Sequence, residues 1–147
     1  MSTILDFLGQ DHRACDEHFA TAEAAVAQKR WDSARSQFAA FRASMAHHFA
    51  MEEEVLFPAF EARTGNAAGP TQVMRMEHRQ MRELMDEMDG ALAEARQDAF
   101  LGLSETLNMV MQQHNLKEEN MLYPMSDRVL GADGGGVVRA MAAIPAE

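Results

Sequence analysis

Apolar residues recur along this chain at helical spacing, in four long stretches separated by short breaks rich in glycine or charge. Ile4, Leu5, Leu8, Cys15, Phe19, Ala22 and Val26 fall on one face of a helix expected over about 3–28, with Ser2 or Thr3 as its N-cap. A second stretch opens at Trp31 and Asp32. Its inward stripe of Phe38, Phe41, Met45, His48, Glu52 and Leu56 runs to Pro58, with room to continue to Arg63. Pro70 suits the first turn of a third helix, which carries Met74, His78, Met81, Met85, Met88 and Leu92 inward and ends near Arg96. Asp98 is read as the cap of a fourth helix, with Leu103, Leu107, Met111, His114, Glu118 and Met121 facing the core as far as Pro124. A glycine-rich loop over 131–136 then leads to a short amphipathic helix over 137–143. No strand pattern is present. The pattern predicts an all-α fold: an up-down-up-down antiparallel four-helix bundle with a short C-terminal helix. One domain is expected over 1–147, with the bundle covering about 3–128 and a tail over 129–147.

Charge narrows the function classes. The formal net charge is −10, from 13 Lys and Arg against 23 Asp and Glu, and no basic run is available to neutralise phosphates. Nucleic acid and anionic membrane are excluded as expected partners. No apolar run approaches the roughly 20 residues of a membrane span, and the charged first turns do not read as a secretory leader. The expected location is cytoplasmic, in keeping with a single cysteine, Cys15, that has no internal disulfide partner.

The candidate chemistry is a repeat. His48-Phe49-Ala50-Met51-Glu52-Glu53-Glu54-Val55-Leu56-Phe57-Pro58 returns 66 residues later as His114-Asn115-Leu116-Lys117-Glu118-Glu119-Asn120-Met121-Leu122-Tyr123-Pro124. Each His-x-x-x-Glu sets an imidazole and a carboxylate one helical turn apart on a single face. The same offset relates Asp11-His12-Arg13 to Glu77-His78-Arg79. Four histidines and two glutamates thus form a pseudo-symmetric set: His12, His48, Glu52, His78, His114 and Glu118. Mixed imidazole and carboxylate donors suit iron, manganese or zinc rather than calcium or copper(I). Six are too many for one tetrahedral zinc, whereas two ions can share them if both carboxylates bridge. The symmetric assignment gives His12 and His48 to one ion and His78 and His114 to the other, with Glu52 and Glu118 spanning both. Asp11, Arg13, Glu53, Glu77, Arg79 and Glu119 recur in both halves and are candidates for orienting the imidazoles from outside.

These motifs resemble the hemerythrin-like cation-binding proteins, named for a His-His-Glu pattern, over residues 1 to about 128. The resemblance implies a four-helix bundle holding two iron ions, joined by an oxo or hydroxo bridge, with the same six residues as ligands. It also implies a small ligand, oxygen, nitric oxide or peroxide, bound for sensing, carriage or redox defence. No redox partner is specified. An enzyme reducing peroxide or nitric oxide, or assisting iron-sulfur cluster repair, is the alternative. Repair ranks lower because such relatives carry an additional cysteine-containing N-terminal domain.

One departure stands out. Oxygen carriers of that family have a further His one turn before the third-helix His, where this chain has Met74, a soft thioether that ferric iron disfavours. Two open ions are therefore expected. Leu8, Phe19, Met45, Phe49, Met74, Met81 and Met111 are expected to line one apolar pocket around them. His18 and His47 point away from the ligand face, Cys15 is read as a small core residue, and the hydroxyl of Tyr123 is placed at the rim of the bundle.

Overall fold

The computed structural model describes residues 2–146. Met1 and Glu147, the outermost residues of the expected domain, lie outside them. Four helical rods run antiparallel in chain order. The first is α1 (Ile4–Ala27), capped by Thr3, whose Oγ1 accepts from the Asp6 amide at 3.0 Å. The second is α2 (Trp31–Met51), a π-helical turn (Glu52–Leu56) and α3 (Phe57–Thr64). The third is α4 (Pro70–Ala93), and the fourth is α5 (Gln97–Lys117), a second π turn (Glu118–Leu122) and α6 (Tyr123–Leu130). In cross-section α1 packs on α2 and α4 on α5, and these two hairpins meet through α1 with α5 and α2 with α4. Among the described residues no helix is long and apolar enough to cross a membrane.

The 66-residue repeat is structural as well as sequential. Both hairpins turn through a non-glycine residue in the left-handed region, Lys29 (φ 57) and Ala95 (φ 53). Arg30 and Arg96 amides then bond back to the Ala25 and Ala91 carbonyls at 2.9 Å. The fourth rod has no side-chain cap at Arg96, so Asp98 does not act as one. Gln97 instead donates from Nε2 to the Val26 and Ala27 carbonyls at 3.1 Å, closing the end of α1.

The two π turns arise where proline enters a helix. Pro58 and Pro124 lack an N–H, and in a regular α-helix their rings would meet the carbonyl four residues back. A widened turn relieves this: the Phe57 and Tyr123 amides bond the Glu52 and Glu118 carbonyls, five residues back. Five α-helical residues sweep about 500°, roughly 140° off the starting face. The wider turn instead returns Phe57 and Tyr123 to the faces of Glu52 and Glu118, both fully buried. Met121, expected inward, is 61% exposed for the same reason, and Leu122 takes the inward place.

The expected glycine-rich loop is helical. Gly131, at φ 51, ends α6, a 3-10 turn follows over Gly131–Asp133, and α7 spans Gly134–Ala142. Met141 of α7 is fully buried and docks the tail on the bundle. At the same end Asp127 accepts from the Ile4 and Leu5 amides, tying α6 to the start of α1.

The core is two apolar bodies with a polar layer between them. Phe19, Phe38, Phe41, Phe49, Met81, Met85 and Phe100 fill the end near the hairpin turns. Ile4, Leu8, Leu56, Phe57, Phe60, Met74 and Met141 fill the other. The seven residues expected to line one pocket are all buried, but Leu8 and Met74 belong to the second body and the other five to the first. They do not form one cavity.

Candidate metal centre

All six predicted ligands lie in the polar layer, each at most 4% exposed. Glu52, His78, His114 and Glu118 each offer a donor atom within 4.8 Å of the others, and so do His12, His48 and Glu118. The histidines fall into two spatial groups, His12 with His48 and His78 with His114. Glu118 belongs to both groups, while Glu52 groups with the His78 and His114 side. His18 and His47 stand outside, and the His47 Nε2 lies 3.0 Å from the Ile144 carbonyl instead.

Every imidazole is held from behind by a carboxylate. Nδ1 of His12 meets Glu119 at 2.6 Å and Nδ1 of His78 meets Glu53 at 2.6 Å. Nδ1 of His48 meets Asp11 at 2.6 Å and Nδ1 of His114 meets Glu77 at 2.7 Å. A carboxylate accepts only, so each Nδ1 carries a proton and each Nε2 faces the centre, the orientation from which a metal-binding histidine offers its lone pair. Four of the six outer candidates thus act as expected. Arg13 and Arg79 are exposed and do not.

Inside, imidazole nitrogens and carboxylate oxygens converge. Nε2 of His78 lies 3.0 Å from Glu52 Oε1, and Nε2 of His114 lies 3.2 Å from Glu118 Oε2. These four atoms have no hydrogen-bond partner among the described residues, the only other such buried side-chain atom being Ser126 Oγ. Donors sharing an ion at about 2.1 Å stand roughly 3.0–3.4 Å apart. The residues therefore fit a metal: two imidazole nitrogens and two carboxylate oxygens, all buried, preoriented and otherwise unsatisfied. Phe49 stacks on His78 at 4.0 Å between ring centroids and shields it from solvent.

Tyr123 is the residue the α-helical reading misplaced. Its hydroxyl sits at the middle of the layer, 2.5 Å from Glu52 Oε2, 2.8 Å from Glu118 Oε1, 3.1 Å from His12 Nε2 and 3.4 Å from His48 Nε2. Burial, and then the two carboxylates, push its pKa well above the usual phenol value. Cys15, by contrast, takes its expected place: it is buried, 3.1 Å from Ser44 Oγ, with its thiol pKa raised by that burial.

The electrostatics set the behaviour of the metal-free chain. Burial works to lower the His114 pKa, but the facing Glu118 outweighs it and pushes the imidazole from 6.5 to about 9. Burial works to raise Glu53, but hydrogen bonds from His78 and Arg82 take it from 4.5 to about 2. A raised histidine stabilises fully below its unfolded value and loses that contribution as pH rises through its folded value. The melting temperature of chelator-treated protein, followed by circular dichroism, is therefore expected to fall as pH rises from 6.5 to 9. A higher melting temperature at pH 9 would contradict this balance. On the acid side the Glu53 contribution is present above 4.5 and lost as pH falls toward about 2.

The model of the hemerythrin HHE cation binding domain matches residues 3–126. An iron-sulfur cluster repair protein, YtfE of Edwardsiella ictaluri (strain 93-146), is 34% identical over 106 residues, covering 65% of this chain and 46% of that protein. The chain thus spans less than half the length of the relative it matches. No solved structure matches.

Proposed function

This chain belongs to the hemerythrin HHE cation-binding family, and on that premise we propose that its polar layer holds two iron ions and binds a small ligand: oxygen, nitric oxide or peroxide. The observation that carries the reading is the set of converging, partnerless donors in the His78 and His114 half, each imidazole fixed from behind. Such a set is destabilising as it stands and stabilising around a cation. Bound iron would supply redox chemistry and a site of attachment for the small ligand.

The protein residues do the rest. His12, His48, His78 and His114 present nitrogen donors; Glu118 lies between the two pairs with one oxygen toward each, and Glu52 turns Oε1 toward His78 and Oε2 toward the Tyr123 hydroxyl. Met74, one turn before His78, offers no hard donor. Met74 and Leu122, both buried, are the floor of a largely apolar cavity of about 190 Å³ walled by Val73, Met121 and Met125, with Pro70 and Lys117 at its edge. Met74 lies one turn from His78 and Leu122 follows Glu118 in the second π turn, so the floor adjoins the donor set. An apolar approach of that size favours a small neutral ligand over a charged or bulky one.

A second reading has its own support. The relative named for iron-sulfur cluster repair favours reductive or repair chemistry at the same centre. Stopped-flow spectroscopy of the reduced, iron-loaded chain separates the two: a stable and reversible oxygen adduct is expected for binding, and multiple turnovers of peroxide or nitric oxide for catalysis. Metal analysis tests their common premise, which fewer than about one ion per chain would remove.

A further inference from the structure

The two halves of the centre are unequal. All four partnerless donor atoms belong to the His78 and His114 half. In the other half the Tyr123 hydroxyl lies among His12 Nε2, His48 Nε2, Glu118 Oε1 and Glu52 Oε2, and its counterpart across the repeat, Phe57, has no oxygen to offer. Building on the two-ion reading above, we infer that the Tyr123 oxygen is a ligand of the ion held by His12 and His48, so that this half is filled and the open position lies in the His78 and His114 half.

Geometry, chemistry and outer electrostatics each carry part of this. Separations of 2.8–3.4 Å from the two imidazole nitrogens and from Glu118 are close to those of donors around one ion, roughly 3.0–3.4 Å. Phenol oxygen is a hard donor that suits ferric iron, which Met74 is not. On binding, the phenol proton leaves to solvent along with any proton on an imidazole Nε2, while each Nδ1 keeps the proton it gives to its outer carboxylate. The outer shell differs in the same sense. Arg82 holds Glu53 through two hydrogen bonds of 2.9 and 3.0 Å, and Lys117 holds Glu77. Asp11 and Glu119, behind His48 and His12, have no Arg or Lys within ion-pair distance among the described residues. Their undiluted charge makes His12 and His48 the more electron-rich imidazoles. The half with the phenol is thus also the half that better supports the higher oxidation state. The half left open is the one beside Met74 and the apolar cavity.

The test uses the whole chain reconstituted with iron and oxidised, with metal content and the visible spectrum measured together. Tyr123 is the only tyrosine, so any tyrosinate signal belongs to it. The wild type is expected to show a phenolate-to-iron absorption band whose resonance Raman spectrum contains tyrosine ring modes. Tyr123→Phe is expected to lose that band while retaining at least about half of the bound iron, held by the His78 half. Ring-deuterated tyrosine in the wild type shifts the same modes, an outcome that does not depend on the variant folding. A chain that binds about two ions without tyrosinate modes overturns the inference and leaves the two-ion reading intact. An unchanged band in Tyr123→Phe overturns it equally. Binding of fewer than about one ion removes the reading and the inference together.

Discussion

Glu118→Gln is expected to lower metal affinity more than about 100-fold at both halves of the centre while leaving the chain helical. The side chain reaches each half with a different oxygen: Oε1 lies 3.0 Å from His12 Nε2, and Oε2 lies 3.2 Å from His114 Nε2. It is also the residue common to both donor groups. Replacing one carboxylate oxygen by an amide removes the negative charge and turns one donor into an NH₂. Outer partners of metal ligands are worth about 10- to 100-fold in affinity, so loss of a shared inner carboxylate exceeds that range and Glu119→Gln falls within it. Chelator competition followed by elemental analysis ranks the two. Equal retention of metal by Glu118→Gln and the wild type would show that the carboxylate is not a ligand.

Removing the metal is the second large effect. Wild-type protein treated with a strong chelator is expected to melt roughly 8–16 °C lower, since a site filled a thousandfold above its dissociation constant stabilises by about 4 kcal/mol and each kcal/mol moves a domain of this size by about 2–4 °C. The physical source is the polar layer. Without an ion, buried imidazoles must hold protons to face Glu52 and Glu118, which is why burial fails to lower the His48 and His114 pKa values. Calorimetry with and without chelator measures the difference. Superimposable melts would mean that the layer is satisfied without metal.

The buried donor set was legible because its geometry is local and was written twice. His48 with Glu52 and His114 with Glu118 need only a helix to share a face, and the 66-residue offset brought in His12 and His78. The outer carboxylates were legible for the same reason: Asp11 and Glu77 adjoin donor residues, as do Glu53 and Glu119. Tyr123 was not, because its place depends on a turn that is not α-helical. Its signal was nonetheless present. A Leu-aromatic-Pro triplet inside an otherwise continuous apolar pattern, with Phe60 buried beyond Pro58, marks a helix that passes through proline by widening. The cavity was misjudged because periodicity assigns a face and not a level. Leu8 and Phe19 share a face but stand 11 residues apart, about 16 Å along the axis, on either side of His12. In the tail, four glycines over 131–136 argued for a loop, yet Val137, Val138 and Met141 had enough apolar surface to hold a helix against the bundle.

Two of the four outer hydrogen bonds of the centre cross between the hairpins reciprocally: His12 to Glu119 and His78 to Glu53. That is the contact rule of a twofold homodimer, in which each subunit gives what it receives. The chain is in this sense a dimer whose subunits have been joined, and the segment over 65–69 is the joint. Two molecules that exchanged hairpins would make the same bonds and build the same centres, so the length of that short connection decides whether the protein closes on itself or on a neighbour.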